Sequence, residues 1–234
     1  MFRKGFYAVI LLVLSALSLS AQEIKPAFDS DFTSLQGWQD ASATGSPKSY
    51  EIDKEDGGSL RISTRAETKD RVKVATTQKF SAGEYTWNIF VPEMGAGDQA
   101  SIGAFLYQDD KHEVDFEIGY GTNEIRDKLG AKEDELVCYF SSHGFPASSS
   151  QILVKRKNWY QCTIKIAYAE NDKFSIEWFL NNVKVKTLQT EYSDEIRFAV
   201  YCSVENLTFM GDHLPAQENY AIFDSFQFTE IRKK

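Results

Sequence analysis

Residues 112–119 read His-Glu-Val-Asp-Phe-Glu-Ile-Gly and alternate between acidic and apolar side chains. Successive side chains of a β-strand point to opposite faces of its sheet. Glu113, Asp115 and Glu117 would therefore share one face, while the three apolar residues that follow them would enter a core. Like charges that share a sheet face destabilise the strand, so a purely structural strand gains nothing from this row. The segment predicts a half-buried strand whose acidic face carries chemistry.

Similar alternation recurs along the rest of the chain after residue 22. Short runs rich in β-branched and aromatic residues favour strands, and turn signals such as residues 123–133 separate them. No long stretch has helical periodicity. The pattern predicts an all-β sandwich or barrel made by one domain, residues 22–234. The predicted strands are residues 59–63, 72–76, 84–91, 100–107, 113–118, 136–141, 161–167, 174–179, 183–188, 196–202 and 221–228.

Length and composition agree with one globular domain. The chain has 234 residues, 42% of them hydrophobic and 26% charged, with only 5 Pro. These values exclude bulk disorder, collagen and a coiled coil, and all-β domains of this length are common. The formal net charge of −8 and the lack of a basic stripe argue against nucleic acid as a partner. Acidic polysaccharides are disfavoured for the same reason.

Residues 1–21, MFRKGFYAVILLVLSALSLSA, have the features of a secretory signal peptide. Arg3 and Lys4 precede an apolar stretch from Phe6 to Leu19, and small residues suited to signal peptidase follow it. The stretch is short for a bilayer, and no later segment is apolar over about 18 residues. An uncleaved anchor is the alternative. We expect a secreted or periplasmic protein without membrane contact after cleavage, whose mature chain has a formal charge of −10.

The cysteines and histidines show no metal-binding spacing. Disulfides are permitted outside the cytoplasm, and an odd number of cysteines leaves at least one thiol unpaired. All three lie in apolar, strand-like segments, which favours buried free thiols that act as small hydrophobes. The histidines are scattered and are expected to be solvated or hydrogen-bonded. The cysteines are Cys138, Cys162 and Cys202, and the histidines are His112, His143 and His213.

The acidic strand has the reach needed for glycoside hydrolysis. At roughly 3.3 Å per residue, the Cα atoms of Glu113 and Glu117 lie about 13 Å apart. Each side chain reaches roughly 4 Å, so carboxyl groups that lean together can approach to about 5–6 Å. Retaining glycosidases use that separation, with one carboxylate as the nucleophile and the other as the acid/base. Asp115, between them, would raise the proton affinity of a neighbour and help to keep a general acid protonated.

The motif E-x-D-x-E at residues 113–117 resembles the catalytic strand of glycoside hydrolase family 16. That family includes lichenases and laminarinases, and the resemblance implies a concanavalin A-like jelly roll with two packed antiparallel sheets and a concave substrate cleft. Six flanking segments resemble other strands of the family, in the family's order. They are residues 28–32 (FDSDF), 83–87 (GEYTW, followed by Pro92), 104–106 (AFL), 158–160 (NWY), 176–182 (IEWFLNN) and 223–228 (FDSFQF).

The resemblance assigns roles to individual residues. It implies that Glu113 is the nucleophile, Glu117 the acid/base and Asp115 the assisting carboxylate of a double displacement. It also implies that no cofactor is required and that Asp224 belongs to a structural Ca²⁺ site, with an ordinary exposed Asp as the alternative. An acidic strand without catalytic function is the alternative for the three carboxylates.

Around this strand, the sequence departs from the family pattern. Lys111 stands where an aromatic residue is frequent, and it would pair with a catalytic carboxylate or contact an anionic substituent. Tyr139 and Tyr201 fall near substrate-facing positions of the family. Trp87 is the tryptophan we expect in the cleft, although aromatic residues also supply much of a sandwich core. We therefore predict Trp87, Lys111, Tyr139 and Tyr201 as substrate-binding residues.

The sequence thus predicts a secreted, monomeric, retaining endo-glycosidase that acts on a β-linked polysaccharide or oligosaccharide, with a β-glucan as the expected substrate. A non-catalytic carbohydrate-binding module of the same fold is the second interpretation. A structural adhesion domain would explain the fold but leave the acidic strand unexplained. Fold likeness alone cannot distinguish these, because this sandwich also hosts lectins.

Overall fold

The computed structural model describes residues 26–54 and 57–233 and confirms the all-β prediction. The predicted signal peptide, residues 1–21, lies outside the described residues. Within the described ranges, no helix has the length and apolarity needed to cross a membrane. The elements are β1 (Phe28–Ser30), β2 (Trp38–Asp40), β3 (Tyr50–Asp53), β4 (Ser59–Thr64), β5 (Arg71–Thr76), β6 (Gly83–Val91), β7 (Ala100–Asp109), β8 (His112–Gly119), α1 (Asn123–Leu129), β9 (Glu135–Gly144), β10 (Ser148–Lys155), β11 (Asn158–Tyr168), β12 (Phe174–Leu180), β13 (Val183–Gln189), β14 (Ala199–Asn206) and β15 (Asn219–Glu230).

The strands form two antiparallel sheets that pack as a jelly-roll sandwich. The first, which we call the cleft sheet, has the order β10-β9-β8-β7-β14-β5-β2 and contains the acidic strand β8 near its centre. The second, the outer sheet, has the order β13-β12-β11-β6-β15-β4-β3, with β1 paired to β15. Strand β8 therefore has a neighbour on each side, which fixes both its register and the direction of its side chains.

The two sheets enclose one large hydrophobic core. Val114, Phe116 and Ile118 of β8 are all buried there, as the alternating pattern predicts. Trp178 of β12 in the outer sheet crosses the core, and its indole N–H donates a 3.0 Å hydrogen bond to the backbone oxygen of Asp115. This bond ties the middle of the acidic strand to the opposite sheet.

Each of the eleven predicted strands corresponds to an observed strand, usually one to three residues longer. The predicted strand at residues 196–202 begins too early, because the observed strand β14 begins at Ala199 and continues to Asn206. Strand β10 was not predicted, since Ser148, Ser149 and Ser150 give it a polar, loop-like beginning.

The prediction of an irregular turn at residues 123–133 is wrong, because residues Asn123–Leu129 form helix α1. Thr122 caps its start by accepting a 3.4 Å hydrogen bond from the Ile125 N–H. Gly130 ends it in the left-handed conformation at φ 66°. With only seven residues, the helix is too short to show a helical period in the sequence.

Cys138, Cys162 and Cys202 are free and fully buried. This confirms the prediction that they behave as small hydrophobic residues. Burial raises the pKa of each thiol, so none has the properties of a nucleophile.

Candidate active site

A cleft of about 1140 Å³ lies on the face of the cleft sheet that points away from the core. All three carboxylates of the acidic strand open into it. Six strands of the sheet and three of the connections between strands contribute to this cleft. Its lining consists of Arg71, Lys73, Phe105, Tyr107, Asp110, Glu113, Asp115, Glu117, Tyr139, Ser141, Ser142, His143, Gly144, Ala147, Ser148, Ser149, Tyr201, Glu205, Leu207 and Phe209.

Asp115, the central carboxylate, is held from three directions. Its Oδ1 accepts a 3.1 Å hydrogen bond from the Ser141 N–H on the neighbouring strand β9. Its Oδ2 lies 3.1 Å from Nε2 of His143, and its backbone oxygen accepts the hydrogen bond from the Trp178 indole in the core. The hydrogen bond to Asp115 raises the pKa of His143, which favours the imidazolium. The Asp115 side chain therefore has one fixed orientation between its two glutamate neighbours.

Glu117 is also buried, with 9% of the residue exposed against 2% for Asp115. The Ser101 hydroxyl donates a hydrogen bond to its Oε2. Gly103 lies directly opposite in the register, and a Cβ there would be 3.3 Å from Glu117 Oε1. Burial, followed by the charges of Asp115 and Glu205, raises the pKa of Glu117 well above its ordinary value. The shift favours the protonated form of this carboxyl group.

Glu113 lies at the more open end of the row, between Tyr107 of β7 and His143 of β9 in the register. Burial, followed by the charge of Asp115, raises its pKa from 4.5 to about 7, and the nearby His143 lowers it. Like-charge crowding is therefore the second cause of the raised pKa values, and burial is the first. At neutral pH, Glu113 loses its proton more readily than Glu117.

A fourth carboxylate, Glu205 of β14, lies in the same cleft and is 2% exposed. Lys73 Nζ is 2.6 Å from its Oε2, and the Arg71 guanidinium binds the same oxygen. Both basic side chains come from β5. Two cations on one carboxylate give this end of the cleft a net positive charge, whereas the acidic row contributes negative charge.

The cleft walls are aromatic but contain no tryptophan. Phe105 and Tyr201 stack face to face, with ring centroids 4.6 Å apart and an angle of 10° between planes. Tyr107 meets the same Tyr201 edge-on, and Tyr139 meets Phe209 edge-on at 5.7 Å. Tyr139 and Tyr201, which were predicted from the sequence, therefore both line the cleft.

Two of the predicted substrate-binding residues are not in the cleft. Trp87 belongs to β6 of the outer sheet and is 0% exposed in the core, so the prediction that it stacks on a sugar is wrong. Lys111 lies in the turn between β7 and β8, outside the cleft lining, with Nζ 5.9 Å from the Phe145 ring centroid. This position corrects the prediction that Lys111 lines the substrate site.

Asp224 lies exposed on the outer sheet, where its carboxylate accepts a 3.2 Å hydrogen bond from Ser225. Among the described residues, Asp224 is not part of any group of three carboxylate, imidazole or thiolate ligands. A calcium ion at this position would need backbone carbonyl and water ligands for most of its shell. The Ca²⁺ site stays a prediction.

Sequence reasoning missed His143 and Glu205. Both reach the acidic row only through strand pairing. Strand β9, with His143, pairs with β8, and β14, with Glu205, pairs with β7 after a long stretch of intervening chain. The available signal was the alternation of β9, which puts Tyr139, Ser141 and His143 on one face. His143 could have been found by extending that alternation two residues beyond the predicted strand end.

No protein-family model and no curated protein sequence matches this chain. Several solved structures are nevertheless similar over nearly their whole length. The laminarinase catalytic domain from Thermotoga maritima MSB8 superposes with a TM-score of 0.62 at 11% identity, covering 89% of this chain and 99% of that one.

Two further structures extend this likeness. Bacillus licheniformis β-glucanase gives a TM-score of 0.61 at 15% identity and covers 88% of this chain and 99% of its own. A mixed-linkage glucan GH16 protein of Bacteroides ovatus gives 0.60 at 13% identity, with 86% and 99% covered. Identities this low establish the fold alone. The protein has the jelly-roll fold of the glycoside hydrolase family 16 enzymes, as the resemblance of its acidic strand implied.

Proposed function

We propose that this protein is a secreted, retaining glycoside hydrolase that cleaves a β-linked glucan within its cleft. The observation that carries the proposal is the row of three carboxylates on β8, which opens into a cleft with aromatic walls. Carboxyl groups in a cleft with raised pKa values are candidates for acid/base sites. The structures with the same fold include enzymes named for laminarin and β-glucan, which supports a glucan as the substrate class.

In the proposed mechanism, Glu117 is the acid and Glu113 is the nucleophile. Glu117, whose raised pKa favours the protonated form, protonates the oxygen of the leaving sugar as the glycosidic bond breaks. The Glu113 carboxylate forms a bond to the anomeric carbon from the other side. Glu117, now ionised, then removes a proton from water, and that water releases the sugar from Glu113 with net retention.

Asp115 and His143 support this exchange without bonding to the sugar. The nearby Asp115 carboxylate raises the pKa of both glutamates. His143 is drawn into its protonated form by Asp115 and lowers the pKa of Glu113, which favours the ionised nucleophile. The stacked pair of Phe105 and Tyr201 supplies a flat apolar surface beside the row, of the kind on which sugar rings pack.

The test is hydrolysis of a panel of β-glucans by the protein that lacks residues 1–21. We expect new reducing ends from at least one glucan, and first-formed products with the β-anomeric configuration by NMR. Glu113→Gln and Glu117→Gln should each abolish release while the thermal unfolding transition remains. Glycan binding without any release of sugar would instead favour the carbohydrate-binding module, and α-configured first products would contradict the retaining mechanism.

Secretion is tested separately. We expect expression of the full chain in a bacterial host to give an exported protein whose N-terminus begins after Ser20 or Ala21. Recovery of the intact chain in the membrane fraction would instead indicate the uncleaved anchor.

A further inference from the structure

Three side chains of the cleft offer metal-ligating atoms that converge on one point. A carboxylate oxygen of Glu113, one of Asp115 and a ring nitrogen of His143 all lie within 4.8 Å of one another. Glu113 and His143 are direct partners in the register of β8 and β9, and Asp115 is two residues along on the same face. In the described part of the chain, no second group of three such side chains converges in this way.

The distances suit a small transition-metal ion. Zn²⁺ binds nitrogen and oxygen ligands at about 2.0–2.2 Å, so two ligands of a tetrahedral ion are about 3.3 Å apart. Asp115 Oδ2 and His143 Nε2 are separated by 3.1 Å. An ion placed between them would displace the proton that His143 donates to Asp115. The Glu113 carboxylate oxygen, which lies within 4.8 Å of both atoms, would move closer to complete a third bond. The donor set of one imidazole and two carboxylates favours Zn²⁺ over Ca²⁺ or Mg²⁺, which select oxygen ligands.

The surroundings prepare these ligands for an ion. The Ser141 N–H holds Asp115 Oδ1, so Oδ2 is directed to the site, and outer contacts of this kind strengthen metal binding. The His143 side chain is 50% exposed, which leaves a route from solvent and room for a water molecule as fourth ligand. Lys73 and Arg71, the basic side chains of the cleft, both bind Glu205, so neither forms an ion pair with the three ligands.

We propose that Glu113, Asp115 and His143 bind one Zn²⁺ ion, and that the bound ion inhibits the hydrolase by occupying the Glu113 carboxylate. The inhibition rests on the proposed function, whereas the binding of zinc does not. An ion on Glu113 takes the electron pair that would attack the anomeric carbon, and it neutralises the charge that Asp115 presents to Glu117. Free zinc would therefore control the fraction of active protein.

The test is calorimetric titration of zinc chloride into the full-length protein, stripped of metal with a chelator, at pH 7. We expect one ion per chain. Glu113→Gln and His143→Ala should each weaken binding by about tenfold or more, the scale seen when a metal site loses a supporting group. Glu117→Gln is the matched control within the acidic row and should bind zinc like the unchanged protein.

His213→Ala is the second control, because His213 also lies near carboxylates, those of Asp98 and Asp212. We expect it to bind zinc unchanged. Zinc should also raise the melting temperature of the unchanged protein but not that of His143→Ala, since only the folded site binds the ion. His143→Gln replaces His143→Ala if the alanine variant does not fold.

Unaltered zinc affinity in both His143 variants would overturn the proposal, as would loss of the stoichiometric site in His213→Ala or the absence of binding altogether. Glucan hydrolysis by the metal-free protein separates this inference from the proposed function. Zinc binding with the expected variant pattern but no hydrolysis would refute the hydrolase and keep the metal site. Hydrolysis that zinc does not inhibit would refute the inhibition and keep the hydrolase.

Discussion

At the scale of the residue, Glu113 shows that the acidic row is costly to the folded state. Its pKa rises from 4.5 to about 7 on folding because the side chain is buried beside Asp115. The folded chain therefore binds this proton more tightly than the unfolded chain, so stability falls as pH rises from about 4.5 to about 7. Each pKa unit corresponds to about 1.4 kcal/mol, which makes the cost above pH 7 up to about 3 kcal/mol.

Glu113→Gln should consequently stabilise the protein, and only at the higher pH. We expect a free energy of unfolding up to about 3 kcal/mol above that of the unchanged protein at pH 8, and no difference at pH 4. Urea unfolding at the two pH values measures this, with Glu170→Gln in an exposed turn as the matched control. A glutamine variant that is equally or less stable at pH 8 would contradict the burial of this charge.

Gly103 has a positioning role at the same scale. It faces Glu117, and an added Cβ would lie 2.4 Å from the Ser203 hydroxyl and 3.3 Å from Glu117 Oε1. Gly103→Ala should displace the carboxyl group and lower kcat for glucan hydrolysis on the order of a hundredfold, with little change in KM. The double variant Gly103→Ala/Ser203→Ala removes the closer clash and should recover part of kcat. Wild-type kcat in the single variant would show that Gly103 does not position Glu117. No recovery in the double variant would show that the clash with Ser203 is not what displaces the carboxyl group.

At the scale of the element, helix α1 depends on one buried side chain. Arg126 is 7% exposed, and its guanidinium donates hydrogen bonds of 2.8–2.9 Å to the backbone oxygens of Tyr120, Lys132 and Glu135. These bonds tie the helix to the start of β9, the strand that carries Tyr139 and His143. The isolated seven-residue helix would not be stable without them.

Arg126→Met should leave the three carbonyl groups without their partner and reduce the free energy of unfolding by about 3 kcal/mol or more. Lys128→Met, on the exposed side of the same helix, is the matched control and should change stability by less than about 0.5 kcal/mol. Chemical denaturation of the two variants measures their free energies of unfolding. Equal stability would mean that α1 is held by other contacts.

The elements also show which parts of the site the sequence could predict. Alternation in β8 was sufficient for the acidic row, because the period of a strand assigns every side chain to a face. It could not assign Trp87 correctly, since the period does not say which face of which sheet meets the core. Glu205 depends on the pairing of β7 with β14, which are distant in sequence, and His143 depends on the register of β9 against β8. Helix α1 depends on hydrogen bonds from Arg126 to backbone oxygens outside the helix.

At the scale of the whole molecule, the sandwich encloses three thiols that no reagent should reach. Cys138, Cys162 and Cys202 are free and fully buried, even though the signal peptide predicts an oxidising compartment. We expect no reaction with a thiol reagent in the native protein and three reactive thiols after denaturation without reductant. Fewer than three in the denatured protein would reveal a disulfide, and rapid reaction in the native protein would contradict the closed core.

The fold as a whole was predictable because the same strand pattern repeats along the chain and the turns between strands are distinct. The cleft was less predictable, since its far wall comes from β5 and β14, whose residues Arg71, Lys73 and Glu205 show no motif. The hypothesis therefore depends on a property that only the assembled sheet creates, the burial of Glu113 and Glu117 in one cleft.

The most direct test of that hypothesis is to trap the covalent intermediate on the protein. A 2-deoxy-2-fluoro glucoside with a good leaving group slows release of the sugar from the nucleophile, so that a glycosyl-enzyme accumulates. Mass spectrometry should find one fluorosugar per chain, attached to the peptide that contains Glu113, and no label on Glu113→Gln. Two results would contradict the assignment of Glu113 as the nucleophile. One is release of the leaving group without any label on the protein, and the other is label on a different carboxylate.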